Sequence, residues 1–393
     1  MKTPLTVSLA MLGLALACGV RPVAAEGGLQ PYQMVRSLQL VQDRIADGDH
    51  AALPMQRKLL ELVDTRLRAA TNEDFADRRN FQALMIYAMS GGNPSTVADS
   101  LARLDMDERD RAAGAGVLGY LTGDMAQARA AMMTIDPTAQ PPELAAFLSL
   151  VKGSVIAGDS PSAAILLLDR ARLLAPGTLV EEAALRRTVS LAATQRQPAK
   201  FMTASEQYAR RFLRSPYASQ FAEAFVAGII ELKRTLDLPR IEQTIAWMTV
   251  EQARTIYLRL ARNAAIDGDA DILEFASRKA REHRAGTVEQ GDPRGDLYSS
   301  LSSVTSETVE QTLERLRALD ASRLSGSDRA LLQAAKAIAA EVVAPVTAAV
   351  PPPSGLQPAR NPDAAVEEDG NARVQSARSR LDDIDKLLAE NER

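Results

Sequence analysis

Between residues 26 and 343 apolar side chains recur at helical rather than alternating spacing. Leu38, Val41 and Ile45 stand at i, i+3 and i+7, and Leu59, Leu62, Val63 and Leu67 repeat the pattern. Each set makes a stripe about one helix face wide, which predicts an amphipathic helix. Turn signals interrupt the stripes at Gly48-Asp49, Gly91-Gly92-Asn93-Pro94, Gly123-Asp124, Gly158-Asp159, Gln197-Pro198, Asp237-Leu238-Pro239 and Gly268-Asp269. Their first residues lie 31 to 43 positions apart, the period of two-helix repeats. The pattern predicts an all-α helical-hairpin repeat array.

Residues 147–177 show the unit most clearly. One predicted helix runs into Gly158-Asp159, Ser160 stands as N-cap with Pro161 at the first helical position, and the next helix stops before Pro176. Ala164, Leu168 and Ala171 face inward, and the two alanines allow close approach of neighbouring helices. Ala164, Ala171 and Pro176 have the spacing of second-helix positions in a tetratricopeptide repeat, but the Trp, Gly and Tyr of the first helix are missing. The expectation is a degenerate tetratricopeptide-like α-solenoid, whose extended surface binds proteins and peptides.

The two ends differ from this body. Residues 1–25 have Lys2 in a positive n-region, an uncharged stretch from Leu5 to Ala17, and Val23-Ala24-Ala25 ahead of Glu26. This predicts a secretory signal peptide cleaved between Ala25 and Glu26. Lipidation at Cys18, the chain's one cysteine, is the competing reading. Cleavage leaves a cysteine-free mature chain suited to an oxidising compartment, and the expected location is the periplasm. Residues 344–370 hold Pro345, Pro351, Pro352, Pro353, Pro358 and Pro362, which predicts a disordered proline-rich linker. Residues 371–393 place Val374, Ala377, Leu381, Ile384 and Leu388 at 3-4-3-4 spacing, the seam of a short amphipathic helix that is marginal alone. The predicted organisation is signal peptide 1–25, helical repeat domain 26–343, linker 344–370 and terminal helix 371–393.

Composition narrows the function. A formal charge of −4 argues against a nucleic-acid binder, whose domains are basic. The single cysteine excludes a disulfide framework and a cysteine-based zinc site. His50 reads as a solvated turn residue and His283 as a C-terminal helix cap favoured by the dipole. Asp105, Asp107, Glu108 and Asp110 lack the glycine and the twelfth-position glutamate of a calcium loop, and read as a solvated helix start. Gly114, Gly116 and Gly119 are spaced GxGxxG, but no predicted strand precedes them, so close helix packing is the expectation rather than dinucleotide binding. Trp247, the one tryptophan, is expected in the core, and Arg210, Arg211 and Arg214 on a solvated helix face. No catalytic residue, metal ligand or cofactor-binding residue is assigned, and no cofactor is expected. A murein-cleaving enzyme would need a further catalytic domain for which residues after 345 leave no room.

The most distinctive stretch is 31–60, PYQMVRSLQLVQDRIADGDHAALPMQRKLL. It resembles the start of the MotC family, periplasmic motility proteins found with the flagellar stator in rhizobia and relatives. The likeness extends across the helical body to about residue 343, with the linker and terminal helix in keeping. The resemblance implies a non-enzymatic periplasmic protein required for flagellar rotation, acting on the periplasmic domain of the stator subunit MotB. It supplies no binding residues, so the partner-binding face is unassigned. The alternative expectation is a general periplasmic scaffold of tetratricopeptide type for cell-envelope complexes.

Overall fold

The computed structural model describes residues 28–283, 293–301 and 309–343. The signal peptide with its Ala25–Glu26 cleavage site and Cys18, the proline-rich linker and the terminal helix all lie outside the described residues. Seventeen α-helices and four short 3-10 turns make up the described chain, with no strand among the described residues. The all-α array of helical hairpins is thus what the chain forms. It groups into two compact units, divided between Glu181 and Glu182.

The first unit holds α1 (Pro31–Ala46), α2 (Leu53–Arg68), α3 (Arg78–Met89), α4 (Pro94–Arg103), α5 (Glu108–Thr122), α6 (Met125–Met133), α7 (Pro142–Val155) and α8 (Pro161–Leu174). Helix α9 (Leu179–Thr194) contains the division. The second unit continues with α10 (Pro198–Arg211), α11 (Ala218–Glu231), α12 (Leu238–Ile245), α13 (Val250–Asp267), α14 (Ala270–Glu282), α15 (Pro293–Leu301), α16 (Val309–Ala318) and α17 (Gly326–Val343). Sequential pairs pack as hairpins: α1 with α2, α5 with α6, α7 with α8, α13 with α14 and α16 with α17.

The turn signals act through identifiable chemistry. Pro94, Pro161 and Pro198 open α4, α8 and α10, where a missing N–H costs nothing. Asn93, Asp107, Asp124, Thr249 and Asp269 cap α4, α5, α6, α13 and α14, each side chain accepting a hydrogen bond from a first-turn N–H. Gly123 and Gly268 end α5 and α13 at φ of 82° and 69°, a conformation that a Cβ disfavours. Ser160 occupies its predicted N-cap position, but its side chain makes no capping bond.

Leu38, Val41, Ile45, Val63 and Leu67 are buried, as are Ala164, Leu168 and Ala171. Leu62 departs from its predicted stripe and is 44% exposed. A stripe including 59, 62, 63 and 67 is wider than the face that α2 buries, and the core takes its Val63–Leu67 side. The three spaced glycines do serve close packing. A Cβ at Gly114 would stand 2.9 Å from Leu101, one at Gly116 2.9 Å from Met132, and one at Gly119 2.8 Å from the Ala128 backbone nitrogen. Helix α4 therefore approaches α5 at Gly114, and α6 approaches a different side of it at Gly116 and Gly119.

Candidate interaction surface

A buried frame comes first, because it sets which side chains remain outside. Three tyrosine hydroxyls donate to carboxylates distant in sequence, and each carboxylate also meets an arginine. Tyr87 donates to Asp64 at 2.9 Å, with Arg68 at 2.8 Å. Tyr208 donates to Glu182 at 2.7 Å, with Arg186 at 3.0 Å. Tyr298 donates to Asp328 at 2.7 Å, with Arg262 at 3.3 Å. Buried carboxylates are tolerable when hydrogen-bonded and paired in this way. Burial, reinforced by the neighbouring carboxylate, pushes the Tyr208 and Tyr298 phenols far up. Burial likewise takes Tyr87 up to about 12. These hydroxyls stay protonated at neutral pH and act as fixed donors.

In the second unit Tyr208 also begins an aromatic column. Its ring stacks on Phe221 at 4.0 Å, Phe221 on Phe225 at 5.5 Å, and Phe225 on Phe201 at 5.8 Å. The column holds α10 against α11, and Gly228 makes room for Phe201, whose ring lies 2.2 Å from where a Cβ would stand.

Beside this column the surface opens into a cleft of about 290 Å³. Leu213 follows α10, Phe221 and Ala222 come from α11, Met248 from the α12–α13 turn and Ile256 from α13; together they make an apolar lining. Glu251, Thr255 and Arg259 stand exposed on α13 at the cleft. Gln252 fixes one wall. Its Oε1 accepts from the Thr249 N–H at 3.0 Å, closing the capping box of α13, while its Nε2 donates to the Leu213 carbonyl at 3.3 Å.

The tryptophan directly precedes the cleft residue Met248 in sequence. Trp247 is 55% exposed, with the Arg210 guanidinium 5.0 Å from its ring centroid. This corrects the expectation of a core position. Trp247 falls beyond the end of α12, in the turn that leads to α13, so the apolar face of α12 is completed by Ile241 and Ile245 and the indole is left outside. Tyr217, the N-cap residue of α11, is likewise partly exposed, with Arg186 5.3 Å from its ring centroid. Half-exposed aromatics with an arginine over the face are the residue types that dominate protein interfaces.

The remaining candidates have structural employment. His283 ends α14, and its Nδ1 lies 2.9 Å from the Lys279 carbonyl, the predicted cap position. His50 is exposed at the start of the turn after α1. Asp107 caps α5, whereas Asp110 is buried and paired with Arg78 at 2.8 Å, which corrects its reading as solvated. The first unit's polar cleft of about 550 Å³ lies at Arg68, Thr96, Asp99, Ala102 and Arg103. Thr96 and Arg68 are engaged there with Asp64. Among the described residues no three His, Cys, Asp or Glu side chains gather as metal ligands, and no helix is long and apolar enough to cross a membrane. The exposed aromatic–arginine pairs and the Tyr–carboxylate–Arg frame were not read from the sequence. Trp247's position just past a proline-initiated short helix was the available signal for the first.

Fold and cleft together define an all-α helical-hairpin protein with a largely apolar surface groove that includes Arg259. The whole chain, residues 1–393, matches the family described as Chemotaxis protein MotC, and the chain belongs to that family. Chemotaxis protein MotC of Rhizobium meliloti (strain 1021) is 38% identical over 367 residues, covering 92% of this chain and 84% of that protein. No solved structure matches the chain.

Proposed function

We propose that this motility-family protein is exported to the periplasm, with cleavage between Ala25 and Glu26, and supports flagellar motor rotation without catalysis. It does so by binding the periplasmic domain of MotB. Membership of the MotC family supports the motility role. The groove between α11 and α13, with the exposed Trp247 next in sequence to its lining residue Met248, is the observation that carries the binding role. An apolar groove accepts the anchoring side chains of an amphipathic helix, and the exposed Arg210–Trp247 pair adds residue types common at interfaces.

Titration of residues 26–393 with the purified periplasmic domain of MotB tests this. Saturable binding is expected, weakened about tenfold by Thr255→Arg, which places a bulky cation at the mouth of the groove. A chain that is helical by circular dichroism yet shows no saturable binding would overturn the MotB assignment. It would favour the general periplasmic scaffold for cell-envelope complexes.

A further inference from the structure

We propose that the polar cleft of the first unit, at the C-terminal ends of α2 and α4, binds the zwitterionic head of an α-amino acid. Its carboxylate is taken by Arg68 and Arg103, and its ammonium by Asp99. The cleft belongs to the first unit and the α11–α13 groove to the second, so the proposal goes beyond the MotB reading and does not depend on it.

Two guanidiniums are held in the cleft with donors to spare. Arg68 closes α2 and Arg103 closes α4. Both line a cavity of about 550 Å³ together with Thr96, Asp99 and Ala102. Arg68 donates through Nε to Asp64 at 2.8 Å. Asp64 is itself fixed by the Tyr87 hydroxyl at 2.9 Å and the Thr96 hydroxyl at 2.6 Å. Arg103 donates through Nε to the Asp99 carbonyl at 3.2 Å and, at the long end of the range, through Nη1 to the Ala70 carbonyl at 3.5 Å. Each guanidinium is thus oriented by its Nε. Both Nη groups of Arg68 and the Nη2 of Arg103 find no acceptor among the described residues. Oriented guanidinium edges of this kind match a carboxylate in geometry as well as charge.

The charge balance selects the ligand. Asp64 already offsets Arg68, which leaves Arg103 and Asp99, one of each sign. Asp99 is exposed, and its carboxylate makes no ion pair among the described residues. Arg103, four positions on, turns its Nε to the main-chain carbonyl of Asp99 instead. An inorganic anion in this cleft meets the Asp99 charge, and a simple cation meets the arginines. A carboxylate with an ammonium beside it satisfies both signs at once. The cavity also falls within the roughly 300–1,000 Å³ of small-ligand sites.

Ligand-observed NMR titration of residues 26–393 tests the assignment with L-alanine, Nε-acetyl-L-lysine, acetate and inorganic phosphate. Saturable alanine binding is expected with a dissociation constant on the order of 1 mM, the range open to so small a ligand. Acetate and phosphate should bind at least about tenfold more weakly. Arg103→Gln should weaken alanine about tenfold. Asp99→Asn should weaken alanine yet strengthen acetate, opposite signs that a loss of folding does not produce. Both positions are exposed, so circular dichroism should match the parent chain. Tighter binding of Nε-acetyl-L-lysine than of alanine would support the proposal and point to a head borne on an acylated chain; weaker binding would support it with a free amino acid as the source. A folded chain that binds neither zwitterion, or binds acetate or phosphate as tightly as alanine, would overturn the proposal. So would alanine binding left unchanged in both variants.

Discussion

Tyr208 donates its hydroxyl hydrogen to Glu182 at 2.7 Å while its ring stacks on Phe221 at 4.0 Å. One side chain thus completes a buried carboxylate's hydrogen bonds and starts the aromatic column behind the groove. Tyr208→Phe keeps the ring and removes the donor. Glu182, also bonded to Arg186, then remains buried with one partner fewer. A loss of about 2 kcal/mol of stability is expected, read as a lower denaturant midpoint at unchanged slope.

The glycines of α5 separate tight fits that differ in what they meet. At Gly116 a Cβ meets the end of the Met132 side chain, Cε at 2.9 Å, whereas at Gly119 it meets backbone, the Ala128 nitrogen at 2.8 Å. A methionine terminus repacks; a helix backbone does not. Gly119→Ala should therefore destabilise by about 1–3 kcal/mol through overpacking, and Gly116→Ala by clearly less. Thermal melts of the two variants side by side check the order. Gly228→Ala, driven into the Phe201 ring at 2.2 Å, should behave like Gly119→Ala.

Arg78 holds Asp110 through both guanidinium nitrogens, at 3.0 and 2.8 Å, and the carboxylate is 5% exposed. Arg78→Met leaves that carboxylate buried near the start of α5, where the helix dipole compensates only in part. A cost of about 1–3 kcal/mol is expected. Adding Asp110→Asn should recover much of it, and a double-mutant cycle by chemical denaturation measures the coupling.

Stability should fall at both ends of the pH range. Hydrogen bonds from Arg66 and Thr71 hold Asp74 below the usual carboxylate range. Burial acts to raise Asp64, but hydrogen bonds from Thr96, Tyr87 and Arg68 outweigh it and hold it low too. For these depressed groups the stabilisation is present above the unfolded carboxylate pKa and is lost as pH falls through the lower folded value. At the alkaline end Tyr87 and Tyr257 are each raised from 10.0 to about 12, chiefly by burial. Their stabilisation is full below 10 and declines as pH rises toward 12. Denaturant midpoints across pH should thus form a plateau with shoulders below about 4 and above about 10. Tyrosinate absorbance should rise in two stages, exposed phenols first. A single-stage rise at the ordinary phenol value would contradict the buried donors.

The all-α array and many of its turns were legible from the sequence. Helical periodicity, a proline at N1 and an Asx or glycine at a helix end act within a few residues, so Pro94, Asp107, Gly123 and Gly268 mark their boundaries without help from the rest of the chain. Family membership was legible in the same sense, since residues 31–60 carry the resemblance that the whole-chain match bears out. Only tertiary structure decided which side of a stripe is buried and which polar groups are paired. Leu62 and Trp247 obey local apolar spacing and lie outside, because the neighbouring helices cover other faces. Asp110 looks like one acid among four until Arg78, thirty-two positions earlier, is brought to it. The tyrosine–carboxylate pairs join residues 23 to 30 positions apart, and the groove exists only where α11 and α13 meet. Local rules reach about one helical turn; burial and pairing depend on which helices arrive from far along the chain.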